Sequence, residues 1–242
     1  MVKRYRSEES TSYTFGIDLT LELIRYQLNV VNKVYVHPLC DKQDSKFIEL
    51  MNQCQRYRIP VEESAKSFNI LAVKENPTVI GEFRKYFAQL NDKDHLVLVD
   101  PQDLYNLGVV IRAALGFGIT NIAIIAPGCD SFNPKVLTAS KGARFAVNIQ
   151  YFENFAQYSK LYGHHDVYPF SHRAKTDLTG VSLDPGKYYS LIFGNEAHGL
   201  PDEYLDMGTP ILINHSRNVG RLDLPIALSI ALYELTKNSF KK

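Results

Sequence analysis

The stretch HLVLVDPQDLYNLGVVIRAALGFG, residues 95 to 118, decides the fold. Leu96 to Val99 is a short apolar run that ends abruptly at Asp100-Pro101. A segment of helical period then carries Asn106, Gly108 and Arg112 toward the glycine-rich stop at Gly116-Phe117-Gly118. This reads as strand, loop and helix. Open α/β sheets bind ligands at the carboxyl ends of their strands, so an amide at Asn106 and a fixed cation at Arg112 stand where a pocket would form. Gly108 leaves room for a close approach. Taken alone, the stretch has an equally good ordinary reading: Asn106 as a cap, Gly108 as a packing residue and Arg112 in a surface pair.

Two later segments also set small and polar residues directly after an apolar strand. Tyr188 to Phe193 precedes Gly194-Asn195-Glu196-Ala197-His198-Gly199-Leu200, and Ile211 to Ile213 precedes a polar loop ending in Arg221-Leu222-Asp223-Leu224-Pro225. Three strand ends thus converge on one site. Competing signatures fail on context. Gly116-Phe117-Gly118 closes a helix instead of following a strand, and Gly194 to Gly199 lacks the Lys-Ser/Thr of a P-loop. No Gly-x-Ser-x-Gly occurs, and the histidines have no evident Ser or Cys partner for a nucleophilic triad.

On these residues the chain resembles the SpoU (TrmH) branch of the SPOUT RNA methyltransferases. Asn106, Gly108 and Arg112 match the family's first motif, Asn-x-Gly with Arg four residues after the Gly. Gly194, Asn195, Glu196, Gly199 and Leu200 match the second, and Ser140, Gly142 and Ala143 resemble its Ser-x-Gly-Ala segment. The third motif normally reads Ser-Leu-Asn-(Val/Leu), whereas here it reads Arg221-Leu222-Asp223-Leu224. Replacing the amide by a carboxylate removes two donor hydrogens, roughly 1 to 3 kcal/mol if a buried acceptor depends on them. In return Asp223 would favour a nearby sulfonium, and Arg221 would pair with Asp223 or Glu196.

The resemblance implies an α/β fold, a trefoil-knotted, mostly parallel-sheet SPOUT methyltransferase domain over residues 91–242. It implies S-adenosylmethionine as cofactor, held by Gly194, Asn195, Glu196, Gly199, Leu200, Ile213, Leu222 and Asp223, with no metal. The reaction implied is methyl transfer to a ribose 2′-hydroxyl of RNA, ribosomal RNA being favoured over transfer RNA. Arg112 matches the family's catalytic arginine. A guanidinium holds its proton to a pKa above about 12, so Arg112 is expected to orient the hydroxyl rather than act as a literal base. Asn106 would fix that arginine or the ribose, and Glu196 would order the cofactor loop. The resemblance further implies a homodimer packed through the C-terminal helix. Two alternatives remain open: a SPOUT-fold RNA-binding protein that has lost catalysis, and a tRNA 2′-O-methyltransferase. A nucleotide-binding oxidoreductase would need a dinucleotide loop that the sequence lacks.

Composition is that of a soluble chain of the cytoplasm: 242 residues, 45% hydrophobic, 22% charged, with no run of 18 apolar residues. A formal net charge of +1 predicts no global attraction to nucleic acid, so any RNA contact must come from a local patch. Lys135, Lys141 and Arg144 are the expected patch, a place where phosphate contacts would dock RNA without selecting it. Cys40, Cys54 and Cys129 are odd in number and lack metal-ligand spacing, which suits free thiols in a reducing compartment.

In chain order, residues 1–14 read as a polar N-terminal arm. Residues 15–90 read as a small α/β, RNA substrate-binding domain, similar in element order to the unit that many SpoU enzymes carry ahead of the first motif. Its helices are expected over Leu19 to Val31 and Asp44 to Tyr57, with a strand at Lys33 to His37 between them and a helix capped by Ser64 after them. Gly81 to Leu90 reads as a connecting helix. Beyond it, strands are expected at Asn121 to Ala126, Val147 to Ile149, Asp166 to Phe170 and Tyr188 to Phe193. Leu224 to Lys237, with Pro225 at its start, reads as a helix buried on most of its circumference.

Overall fold

A computed structural model describes residues 2–71, 76–216 and 218–240. The chain begins with β1 (Thr11–Phe15), α1 (Ile17–Gln27) and β2 (Val31–Val36), then α2 (Ser45–Tyr57), β3 (Val61–Glu63), α3 (Ala65–Leu71) and β4 (Val79–Arg84). It continues through β5 (His95–Val99), α4 (Leu104–Gly116), β6 (Asn121–Ile125) and α5 (Pro134–Ala139). The remainder is β7 (Asn148–Phe152), α6 (Phe155–Tyr162), β8 (Asp166–Pro169), β9 (Thr176–Asp177), β10 (Tyr189–Phe193), β11 (Ile211–Leu212) and α7 (Leu224–Thr236). Contacts divide it into two compact units. One comprises the residues up to Tyr86 together with Asp130–Ala146; the other comprises Phe87–Cys129 and the residues from Val147 onward.

The first unit is built on a four-stranded sheet of order β1-β4-β2-β3, antiparallel except between β2 and β3. Helix α2 shows why the sequence folds locally as it does. Asp44 caps it by accepting from the backbone N–H of Lys46 and Phe47, Phe47, Leu50 and Cys54 share its buried face, and Arg58 closes it in a left-handed conformation. Ser64 accepts from the backbone N–H of Ser67 at the start of α3, as expected of a cap.

Three expectations are corrected here. The arm is not free of structure: Thr11–Phe15 is a strand with Ser12, Tyr13 and Thr14 buried. Its hydroxyls can be buried because they are satisfied, Ser12 Oγ donating to the Phe132 carbonyl at 2.6 Å and Thr14 bonding Thr20 at 2.8 Å. Gly81 to Arg84 is strand rather than helix. Val79, Ile80, Gly81 and Phe83 are all buried in β4, and Gly81 sits where a Cβ would strike the Thr14 and Thr20 side chains. Finally, residues 91–242 are not one contiguous unit, because Asp130–Ala146 packs with the first. The Asp130 carboxylate takes the Lys85 ammonium at 2.6 Å and the Tyr5 hydroxyl at 2.5 Å, while Phe83 meets Phe132 and Phe145 edge-on.

The second unit centres on a five-stranded, all-parallel sheet of order β7-β6-β5-β10-β8. Every residue of β5, β6 and β10 is buried, which is why these strands read as continuous apolar runs instead of alternating ones. Val97, Val99, Ala123, Ile125 and Ile192 form one core layer with Phe152, Tyr158 and Tyr204. Asp103 caps α4 through the Asn106 backbone N–H at 2.7 Å. A short parallel pair, β9 with β11, stands apart from the main sheet. Helix α7 buries Leu224, Leu228, Ala231 and Leu232, yet Ile226, Ile230 and Tyr233 are 50, 40 and 58% exposed. Its apolar circumference is therefore only half covered within one chain, contrary to the expectation of near-complete burial.

Candidate functional site

The carboxyl end of β10 is organised by Asn195. Its side-chain amide donates to the Asp100 carbonyl at 2.8 Å and to the Asp100 carboxylate at 3.2 Å, joining the loop after β10 to the loop after β5. Its side-chain oxygen accepts from the backbone N–H of Ala197 and His198, and its backbone pairs with Gly199 in both directions. One residue thus joins the two loops with its side-chain NH2 and closes the turn 195–199 with its side-chain oxygen and its backbone. Asp100 takes a left-handed φ of 53°, a conformation that an aspartate tolerates better than most residues.

Glu196 extends the same junction. Its two carboxylate oxygens accept from the backbone N–H of Gln102 and of Asp103, each at 3.3 Å, just ahead of α4. That is the end of a helix where negative charge is favoured. The second motif is in this way hydrogen-bonded to the loop that leads into the first. Gly194 is closed in by the chain coming back: a Cβ there would lie under 3.0 Å from the Gly199 carbonyl and the Leu200 nitrogen. Gly199 itself has a φ of +74°.

These turns border a cleft of about 110 Å³, open to solvent. Apolar walls come from Phe170, Phe193, Leu200, Ile211, Leu224 and Ala227, and Phe170 stacks on Phe193 with ring centroids 4.4 Å apart. Polar groups on the lining come from Ser171, His172, Asn195, Glu196, His215 and Arg221. Arg173 stands behind the wall, donating to the Leu200 carbonyl at 2.6 Å and pairing with Asp202.

Of the residues expected to hold a cofactor, Gly194, Asn195, Glu196, Gly199, Leu200, Ile213 and Leu222 line this cleft. Asp223 does not: it is exposed at the N-cap of α7, where its side chain caps nothing and only its carbonyl accepts from Ile226 and Ala227. Arg221 is on the lining, but among the described residues it forms no ion pair with Asp223 or Glu196. Asn106 and Arg112 lie on α4 outside the lining; Arg112 is exposed and Asn106 half-buried. The expected basic patch loses a member. Arg144 is 1% exposed, donating to Ser131 at 2.9 Å and Tyr86 at 3.3 Å and lying over the Phe132 ring at 4.0 Å, so it is a core residue of the first unit. Lys135 and Lys141 are exposed. Phe170, Ser171 and His215 escaped the sequence reading, because a polar loop carries no period that reveals which of its residues face inward.

Residues 93–233 match the SpoU rRNA Methylase family. The chain is 26% identical over 145 residues to the 23S rRNA (guanosine-2′-O-)-methyltransferase RlmB of Xylella fastidiosa, covering 59% of this chain and 57% of that protein. It is 28% identical over 157 residues to the tRNA (cytidine-2′-O-)-methyltransferase TrmJ of Sulfolobus acidocaldarius, covering 61% and 66%. The chain spans about half the length, or less, of the first curated relatives it matches. Among solved structures, the AdoMet-bound rRNA methyltransferase of Sinorhizobium meliloti shares the fold with a TM-score of 0.80 at 20% identity, over 98% of this chain and 90% of that one.

Proposed function

Because the chain belongs to the SpoU rRNA methylase family, we propose that it is an S-adenosylmethionine-dependent RNA methyltransferase acting on a ribose 2′-hydroxyl. The observation that carries this reading is the cleft at the carboxyl end of β10, bounded by the second and third motifs. Its residues fit the cofactor. Phe170, Phe193, Leu200 and Ile211 offer apolar walls for a purine, and the close passage of Gly194 against the Gly199 and Leu200 backbone shapes the cradle at its edge. Asn195 and Glu196 would hold that cradle closed, and Ser171, His172 and His215 would supply polar contacts.

S-adenosylmethionine, when bound, supplies a methyl group on a positively charged sulfur. The protein's task is alignment, worth on the order of 7 to 11 kcal/mol when two partners are held in near-attack geometry. Arg112, exposed and without an ion pair among the described residues, would orient the ribose hydroxyl and an adjoining phosphate and stabilise charge as the proton leaves. Asn106 would steady that arrangement. Glu196 acts in this reading through the loop it ties to the start of α4, without touching the substrate.

Ribosomal RNA is the favoured substrate, supported by the likeness to the Sinorhizobium meliloti rRNA methyltransferase, which extends over both units. Lys135 and Lys141 remain candidates for phosphate contact. A homodimer through α7 would cover Ile226, Ile230 and Tyr233, whose i, i+4, i+7 spacing makes one exposed apolar stripe. The family's trefoil knot is part of the same proposal, supported by the pairing of β11 with β9, a strand from the connection between β8 and β10.

One observation favours a second reading, an RNA-binding protein without catalysis: Arg221 places fixed positive charge on a cleft that is to receive a sulfonium. Calorimetric titration with S-adenosylmethionine and S-adenosylhomocysteine, with and without RNA, decides between them. Micromolar binding of the former followed by labelled-methyl transfer to RNA supports the enzyme. Binding of neither ligand under either condition refutes it.

A further inference from the structure

At the opposite, amino-terminal end of the parallel strands, three imidazoles and a carboxylate gather: Asp92 ahead of β5, His95 at its start, and His164 and His165 between α6 and β8. A chain of hydrogen bonds connects the buried members, and its direction can be worked out atom by atom. The Asn91 carbonyl can only accept, so His95 Nε2, 2.8 Å away, carries the ring proton. A neutral, fully buried His95 then presents a bare Nδ1, and the Tyr158 hydroxyl at 2.9 Å donates to it. With its one proton committed, Tyr158 accepts from Ser190 Oγ at 2.6 Å. Ser190 in turn accepts from His165 Nδ1 at 3.0 Å.

The consequence falls on His165 Nε2. The relay puts the ring's proton on Nδ1 and leaves Nε2 a lone pair. That atom is buried, on a side chain with 0% exposure, and has no hydrogen-bond partner among the described residues. It lies 3.6 Å from Asp92 Oδ1, so a lone pair faces a carboxylate oxygen. Two acceptors confronting each other at the edge of a core are stable together when a cation, a proton or a metal ion, lies between them. His164 Nε2 completes the group, 2.6 Å from the same Asp92 oxygen, and all three ligand atoms lie within 4.8 Å of one another.

We propose that Asp92, His164 and His165 form a site for one divalent transition-metal ion, zinc in the first place. Two imidazole nitrogens and one carboxylate oxygen are a donor set that zinc accepts at about 2.0 to 2.2 Å, with water in the fourth tetrahedral position. Donor atoms around such an ion are about 3.4 Å apart. The separation between His165 and Asp92 already meets this, and the His164 to Asp92 hydrogen bond opens by roughly 0.8 Å from its present 2.6 Å. His164 and Asp92 are exposed enough to move, and the His164 ring proton passes to Nδ1. The Ser190 hydroxyl behind His165 is the outer partner that a metal-binding histidine requires to fix its tautomer. The ion would clamp the turn after α6 to the segment leading into β5, at the end of the sheet away from the cofactor cleft.

The test uses the 242-residue chain without a polyhistidine tag, stripped of metal by chelation and titrated with zinc chloride in a calorimeter. Cobalt chloride replaces zinc for visible spectroscopy. The expected result is one ion per chain, a tetrahedral cobalt spectrum, and a rise in unfolding temperature with zinc. Asp92→Asn and His164→Gln, both at exposed positions where folding is preserved, should each weaken zinc binding at least about tenfold and remove the cobalt band. Absence of a stoichiometric ion in the unaltered protein, or unchanged zinc affinity in both variants, overturns the proposal.

Discussion

Replacing Gly194 by alanine tests whether the cleft depends on the close passage of the chain at its mouth. The added Cβ would fall under 3.0 Å from the Gly199 carbonyl carbon and oxygen and from the Leu200 nitrogen, all of them backbone atoms that cannot rotate away. Ordinary contact begins at 3.4 Å, so the two segments must part by more than 0.4 Å, the difference between those limits. Such overpacking costs about 1 to 3 kcal/mol. The displaced turn is the one that Asn195 closes and that borders the cleft, so the strain falls on the proposed cofactor site. Calorimetry should show S-adenosylmethionine binding at least about tenfold weaker, a loss of about 1.4 kcal/mol. Circular dichroism should show the secondary structure retained. Gly220→Ala is the control, because nothing lies within 4 Å of its Cβ position, and its stability should stay within about 0.5 kcal/mol. Unaltered cofactor affinity in Gly194→Ala would refute the reasoning.

Arg112→Ala should lower turnover by about 100-fold while leaving cofactor affinity unchanged, because the residue lies outside the cleft lining; undiminished single-turnover rates would remove it from the mechanism. Asn195→Asp deletes both donations to Asp100 and opposes two carboxylates, so urea unfolding should show a loss of roughly 1 to 3 kcal/mol. Arg144→Ala should destabilise by about 2 to 5 kcal/mol with no effect on the salt dependence of RNA binding, whereas Lys135→Ala with Lys141→Ala should flatten that dependence and spare stability. Burial pushes the His95 imidazole down from 6.5 to about 4, with Asp92, His164, His165, Tyr158 and Tyr162 as the charged or titratable groups facing it. The unfolded chain therefore takes up this proton first. The stabilisation, on the order of 3 kcal/mol, is fully present above pH 6.5 and is lost as pH falls through about 4. Urea midpoints measured in chelator across that window check the sign, and a stability that rises on acidification would contradict it.

What sequence alone determined was local. Apolar runs at Leu96, Asn121 and Tyr188 are strands because both faces of a parallel sheet are covered, and Asp44, Ser64 and the Pro225 start mark helix ends because caps act within a few residues. The motif glycines and Asn195 were picked out through the family resemblance, and only part of their constraint is local, in the turn 195–199. What only the tertiary structure decided were partners distant along the chain. Arg144 looks like a surface cation until Ser131, Tyr86 and Phe132 enclose it. Asp223 is one residue from the cleft lining but is turned away at the cap of α7. The short polar segment Thr11–Thr14 became a buried strand because Phe132 and Thr20 satisfy its hydroxyls. Asp92 and His164 are 72 residues apart, and no spacing rule connects them. Burial and hydrogen-bond satisfaction are properties of a neighbourhood, and that neighbourhood exists only once the chain has folded.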